Sequence, residues 1–178
     1  GSMTNGEAIR NGIYGDSDEF DADNAAKLQI GTDAANESFN IAGDFTNHGI
    51  LDASRIESTT VTGSALNDGR AQYQDMTIGE TASSTNNGYE KGENLTVEGS
   101  HVNTGTSIWN TVDVKQGGSM TSGEAIPEGD KKGNEEGFKP SATTQIGTDD
   151  KGEVFNVEGD VTNHGDLDAK KTETTLVA

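Results

Sequence analysis

The chain has 178 residues, 24 of them glycine, with 29% apolar residues and a formal charge of −19. So little apolar content at so high a charge excludes a large globular core. It leaves either a disordered chain or a repeat fold in which each unit buries a few side chains against its neighbours. Three arginines (Arg10, Arg55, Arg70) and nine lysines argue against nucleic acid or anionic lipid as partners; no cysteine is available for disulfides or thiolate metal sites, and no apolar run is long enough for membrane insertion by this segment.

Repetition decides between the two options. Gly1 to Gly12 reads GSMTNGEAIRNG and returns as GSMTSGEAIPEG from Gly118 to Gly129, while Gln29 to Ala53 matches Gln145 to Ala169 at 17 of 25 positions. The offsets are 117 and 116 residues, so one long unit spans residues 1–117 and a partial second copy spans 118–178. Gly1-Ser2-Met3 could be taken for a cloning remnant, but Gly118-Ser119-Met120 repeats it.

Along the chain, Ile13 to Lys27 shares almost nothing with its counterpart Asp130 to Ser141. Residues 13–27 and 130–141 are therefore predicted to be loop insertions leaving one corner of a common frame. The frame itself carries a shorter pattern, an aliphatic anchor followed by Gly and then Asn-x-Gly. It runs as Ile41/Gly43/Asn47/Gly49, Val61/Gly63/Asn67/Gly69, Val97/Gly99/Asn103/Gly105 and Val157/Gly159/Asn163/Gly165, with looser copies at Ile78 to Gly88 and Val114 to Gly123. The anchors are spaced by 20, 17, 19, 17 and 43 residues, and the last interval reads as two units. A period near 19 with strand-like content is a β-solenoid signature.

Local text agrees. Phe39-Asn40-Ile41, Thr59-Thr60-Val61, Leu95-Thr96-Val97 and Phe155-Asn156-Val157 put apolar or β-branched side chains two apart, on one face of a strand. Phe45, Val161, Leu51, Leu167 and Ile108 are the next inward candidates. Gly43, Gly63, Gly99 and Gly159 are expected to turn a corner at positive φ. Asn47, Asn67, Asn103 and Asn163 hold one place in the coil, where they are expected to form an amide ladder or else simple turns. Asn86 to Gly92 is predicted as a smaller loop. The expected fold is all-β, a right-handed parallel β-helix of eight or nine coils with the two insertions.

Chemistry finds little purchase. Asp16, Asp18, Glu19, Asp21 and Asp23 offer oxygens to Ca²⁺, but Asp21 stands where an EF-hand loop has glycine and Lys27 where it closes with glutamate. The stretch reads as a solvated loop with Ca²⁺ as the alternative, and no cofactor is expected. His48 and His164 occupy equivalent places six coils apart in this count, too far to share a metal, and His101 aligns with Phe45 and Val161 as a coil residue. Asp44 recurs as Asp160 and Asp52 as Asp168, whereas a carboxylate pair for hydrolysis should occur once on a solenoid. Lyase chemistry of the pectate type wants a basic residue beside bound Ca²⁺; Arg55 and Arg70 are present, Arg55 recurring as Lys171 and Arg70 with no visible partner, and the sequence assigns no nucleophile–base pairing. Trp109 follows Ile108 and should point outward. It reads as a lone exposed aromatic rather than a sugar-stacking surface with Tyr14, Tyr73 and Tyr89. No catalytic residues are assigned.

Coils built as Ile41-Ala42-Gly43 followed by Thr46-Asn47-His48-Gly49 resemble the passenger domains of bacterial type V secreted adhesins, the filamentous-haemagglutinin-like proteins and self-associating autotransporters. The likeness covers nearly the whole chain outside the insertions and is one of style, since the family has no fixed binding motif. It implies an extracellular place on the bacterial cell surface and adhesion to a host glycan, a matrix protein or the same protein on a neighbouring cell. The alternatives are a passive stalk and a carbohydrate-active β-helix enzyme or tailspike. The chain begins without a visible secretion signal and ends partway into a new coil, as an excised fragment would.

Overall fold

A computed structural model describes residues 1–10, 12–127 and 140–178. They form a parallel β-solenoid without helices. Its strands are β1 (Ser2–Asn5), β2 (Lys27–Gln29), β3 (Ser38–Ile41), β4 (Asp44–Asn47), β5 (Ile50–Val61), β6 (Ser64–Asn67), β7 (Arg70–Ile78), β8 (Ser83–Asn86) and β9 (Tyr89–Val97). They continue as β10 (Ser100–Asn103), β11 (Thr106–Val114), β12 (Ser119–Ser122), β13 (Thr143–Ile146), β14 (Val154–Val157), β15 (Asp160–Asn163), β16 (Asp166–Asp168) and β17 (Thr174–Val177).

Each coil contributes one short strand to a seven-stranded sheet, β1-β4-β6-β8-β10-β12-β15, and one long strand, or the pair that replaces it, to a second sheet on the opposite wall. All pairings are parallel, and apart from a register shift between Ala53 and Ser58 where β5 meets β7, equivalent positions stack directly: Asn47 on Asn67, and Val61 on Ile78. The core is a set of such stacks. Ile41, Val61, Ile78, Val97, Val114 and Val157 form one continuous column, each buried. Branched side chains suit this place because the pleat holds them against identical shapes above and below.

The solenoid has seven rungs rather than eight or nine. The interval of 43 residues from Val114 to Val157 is one coil, because these two valines are direct neighbours in the ladder. The extra length is the second insertion, of which residues 130–139 lie outside the described residues. At about 4.8 Å per rung the stack is roughly 30 Å long. His48 and His164 follow strands five rungs apart, not six. Asn86 to Gly92 is not a loop, since Asn86 closes β8 and Tyr89 opens β9.

The glycines do a different job from the one expected. Gly43, Gly63, Gly99 and Gly159 are absent from the positive-φ residues, which include Gly6, Gly117 and Gly123. What they provide is closeness between coils. A Cβ on Gly63 would lie 2.3 Å from the Gly43 carbonyl oxygen, and one on Gly99 2.3 Å from that of Gly79. The Asn-x-Gly glycines behave alike, with a Cβ on Gly69 falling 2.0 Å from Gly49 O. These corners stack backbone on backbone, and any side chain would push the rungs apart.

Candidate functional site

Two arrangements of polar groups rise above the coil repeat, one inside the solenoid and one on its flank. The interior one begins with the ladder. Asn5 Nδ2 donates to Asn47 Oδ1 at 2.7 Å, Asn47 to Asn67 at 2.7 Å, Asn67 to Asn86 at 2.7 Å and Asn86 to Asn103 at 2.8 Å. The second amide hydrogen goes to a backbone carbonyl in every case, that of Ile50, Arg70, Tyr89, Thr106 and Thr143 in turn. A buried amide is tolerated when its donors and acceptor are all used, and here the stack uses them.

Asn163 stands outside this ladder. The repeat puts Ser122 where Asn5 would recur, and Asn103 turns instead to Thr144 Oγ1 at 2.9 Å, which contacts Ser122 Oγ at 2.8 Å. Asn163 is exposed and accepts from the Gly165 N–H. Asn86 was legible in the looser Ile78 to Gly88 copy; Asn5 was not, because Gly6 follows it directly.

On the fourth and fifth rungs the interior holds a polar cluster in place of the apolar stacks. Glu90 and His101 are 1% and 0% exposed, with His101 Nε2 3.1 Å from Glu90 Oε1 at an angle unsuited to a hydrogen bond. Ser107 Oγ donates to Glu90 at 2.7 Å and Trp109 Nε1 donates to Ser107 at 3.0 Å. Burial first, and then the Glu90 charge, push the Tyr73 hydroxyl far above its ordinary value. His101 is therefore fully buried, in the inward column shared by Phe45 and Val161.

Trp109 is not exposed. It is 0% accessible, stacks on Tyr73 with ring centroids 6.0 Å apart, and lies across Gly92, where a Cβ would sit 2.2 Å from its ring. The reason is a change of parity. Asn110 and Thr111 both face outward at the bend of β11, so the inward set runs Ser107 and Trp109 before the bend and Val112 and Val114 after it. Alternation counted through the bend reverses Ile108 and Trp109, and Ile108 is accordingly the partly exposed one.

On the flank, the first insertion is clamped to the wall rather than projecting freely. Gly15 N donates to Asp68 O and Arg70 Nε donates to Gly15 O, both at 2.8 Å, and the Arg70 guanidinium lies 5.1 Å from the Phe20 ring centroid. A Cβ on Gly15 would meet Gly69 O at 1.9 Å, so only glycine allows this approach. Between insertion and wall opens a cleft of about 470 Å³ lined by Glu7, Phe20, Asp21, Asn24 and His48 among others. At its floor His48 Nδ1 is 3.0 Å from Asp68 Oδ2; Asp68 accepts from Asn87, whose amide oxygen accepts from Thr104. Arg70 thus has a local role that the coil pattern left unread.

The insertion's acids do not converge. Asp21 accepts from the side chain and backbone of Asn24, which hold its carboxyl low, while burial pushes that of Asp16 up. Asp16, Asp18 and Asp23 bring no third ligand beside it; among the described residues no three His, Cys, Asp or Glu side chains gather as a metal would require. Asp44 accepts from Ser64 on the seven-stranded sheet and Asp52 from Ser54 on the other, so these two face different walls. Asp168 caps Lys170 N at 2.9 Å and Asp160 is exposed. Lys171 approaches Asp149 as Arg55 approaches Asp33.

One further motif recurs. Glu37 accepts from Thr32 N at 2.7 Å, Thr32 Oγ1 at 2.9 Å and Ala34 N at 3.2 Å, and these bonds hold its carboxyl below the ordinary value of 4.5. Burial pushes its counterpart Glu153 up, but bonds from Thr148 and Asp150 outweigh it and the carboxyl is again lowered. A carboxyl whose folded value is depressed stabilises above its unfolded value and loses that contribution as pH falls through the folded one. Protection of the Thr32 and Thr148 amides relative to intrinsic exchange is therefore expected to fall as pH drops below about 4.5, and Glu37→Gln to abolish that pH dependence at Thr32 alone. Protection factors unchanged down to about pH 2 would refute the cap.

No protein-family model, curated protein or solved structure matches this chain.

Proposed function

We propose that this chain is a structural and adhesive segment of a bacterial cell-surface β-helix protein, presenting the insertion at residues 13–27 to a host glycan, a matrix protein or a neighbouring cell. The observation that carries the reading is the clamp at Gly15 and Arg70. A spacer gains nothing from a fixed loop, whereas a binding loop gains preorganisation, because ordering it before contact lowers the cost of binding. The cleft beneath it combines an aromatic ring, carboxylates, an amide and an imidazole, the mixture that polyhydroxylated ligands use. With −19 on the chain, anionic glycans are the poorest candidates. The resemblance of the coils to type V secreted adhesins points the same way.

The passive stalk is the second reading, favoured by the recurrence of Asp44, Asp52 and His48 in the second copy. An enzyme or tailspike would use an acidic site that occurs once, and the sealed Glu90–His101 cluster is closed to any substrate in this conformation.

The test is a glycan and extracellular-matrix array probed with the chain, with a version carrying a short glycine–serine loop for Ile13 to Lys27, and with Gly15→Ala. Binding by the chain is expected to vanish with the loop replaced and to weaken at least tenfold in Gly15→Ala. No binding by any of them, with β-rich circular dichroism retained, would leave the stalk.

A further inference from the structure

We propose that Tyr89 to Asn94, the first half of β9, is a hinged flap that opens while the rest of the solenoid stays folded, uncovering Glu90, His101, Ser107 and Trp109. The flap is separate from the insertion and from the adhesive reading.

The segment reads Tyr89-Glu90-Lys91-Gly92-Glu93-Asn94. After the tyrosine come residues that strands avoid, and a glycine inside a strand weakens it further. Local preference alone makes a loop of this stretch, and it is the neighbouring rungs that make it a strand.

Those neighbours hold it loosely. In two stacked inward columns the second rung supplies Phe45 and Leu51 and the third Ala65 and Ala71, but the fourth supplies Ser84 and Glu90, followed along β9 by Gly92. This half of the fourth rung therefore brings no large apolar side chain to the core. Past the bend the same strand is anchored. Leu95 and Val97 are 0% exposed, between Met76 and Ile78 on one side and Val112 and Val114 on the other. At the near end Asn86 fixes the corner through Asn67 and Asn103. A segment tied at both ends and weakly held between them has the form of a flap with two hinges.

The groups beneath it favour opening for a second reason. Glu90 and His101 are sealed from solvent, and neither imidazole nitrogen has a hydrogen-bond partner. Buried polar groups short of partners gain them when water enters. On the outer face Lys91, Glu93 and Asn94 are exposed. The ties from Asn94 to Asp75 and from Asn110 to Glu93 are surface bonds, which water replaces at small cost. Against opening stands the Trp109 ring, which lies on Gly92. Local openings span a range from near zero to the full free energy of unfolding. Little apolar area and unmet polar groups put this one toward the low end. Opening brings a carboxyl, an imidazole, a hydroxyl and an indole to solvent in one place, so the flap is a gate over a polar interior.

Thiol labelling of the folded chain tests this. The chain has no cysteine, so Ser107→Cys puts one thiol beneath the flap and Thr59→Cys one in the core of the second rung; both positions are 0% exposed. The Ser107→Cys thiol is expected to label roughly a hundredfold faster than the Thr59→Cys thiol, at a rate nearly independent of urea, because a local opening exposes little surface. Lys91→Val, on the outer face of the flap, should slow labelling of Ser107→Cys about fivefold through its stronger strand preference. Amide exchange of the unaltered chain reads the same opening with no substitution in the core. The amides of Tyr89 to Asn94 should be roughly a hundredfold less protected than those of Leu95 to Val97. Labelling at both thiols that rises with urea at one common slope, equal protection in the two halves of β9, or labelling unmoved by Lys91→Val would overturn the proposal.

Discussion

Trp109→Ala is expected to cost about 3–5 kcal/mol, the range for emptying a buried aromatic site. The indole fills the space above Gly92, stacks on Tyr73, and satisfies Ser107 through its Nε1. Ser107 in turn donates to the buried Glu90. Removing the ring leaves a cavity, and it also frees the hydroxyl that holds a buried carboxyl. The loss should concentrate in β7, β9 and β11, the strands whose residues meet the indole at Tyr73, Gly92 and Ser107. Hydrogen exchange measured strand by strand checks this: protection should fall in those three strands and hold in β4, which lies on the other sheet three rungs from β11. Trp109→Phe should recover most of the packing but not the Ser107 bond. An Ala variant as protected as the parent chain would mean that the tryptophan is not in the core.

Asn67→Ala should be comparably severe for another reason. It orphans one Asn47 amide hydrogen, the Asn86 oxygen and the Tyr89 carbonyl at once. A buried group left without its partner costs about 1–3 kcal/mol, so the loss should total roughly 3–6 kcal/mol after partial relaxation. Asn163→Ala, at the same place in the repeat but exposed and outside the row, should change stability by about 0.5 kcal/mol or less. Urea unfolding of the two variants side by side separates a ladder from a set of independent Asn-x-Gly turns, since the turn reading makes them equal.

The fold was legible because a solenoid writes its period into the chain. Stacking in register requires the same side-chain type at the same place, and the anchors at 41, 61, 78, 97, 114 and 157 are that requirement in sequence form. What escaped lies where a coil departs from its own rule. The bend of β11 spends two successive residues outward, and a count of alternation that runs through it inverts Trp109. An insertion inside a coil lengthens the interval without adding a rung, which is how the span from Val114 to Val157 came to read as two. The glycines were legible as necessary but not as to why, because contact between successive carbonyls is invisible to a local rule about φ. The Gly15–Arg70 clamp joins residues 55 apart and had no periodic signal to reveal it. The Glu90–His101 cluster was hidden too: a glutamate at an inward place looks like an outward one until register fixes the side it faces.

The fold rests on strands stacking in parallel one rung at a time, and a single distance tests it. The chain has no cysteine, so Thr46→Cys and Thr162→Cys give spin labels at one outward position of β4 and β15, five rungs apart. Electron–electron double resonance is expected to show one narrow distribution near 24 Å, five steps of about 4.8 Å. A broad distribution centred near 60 Å, the span of a flexible chain of that length at about 5–6 Å times the square root of residue number, or a narrow one displaced by a whole rung, would contradict the account.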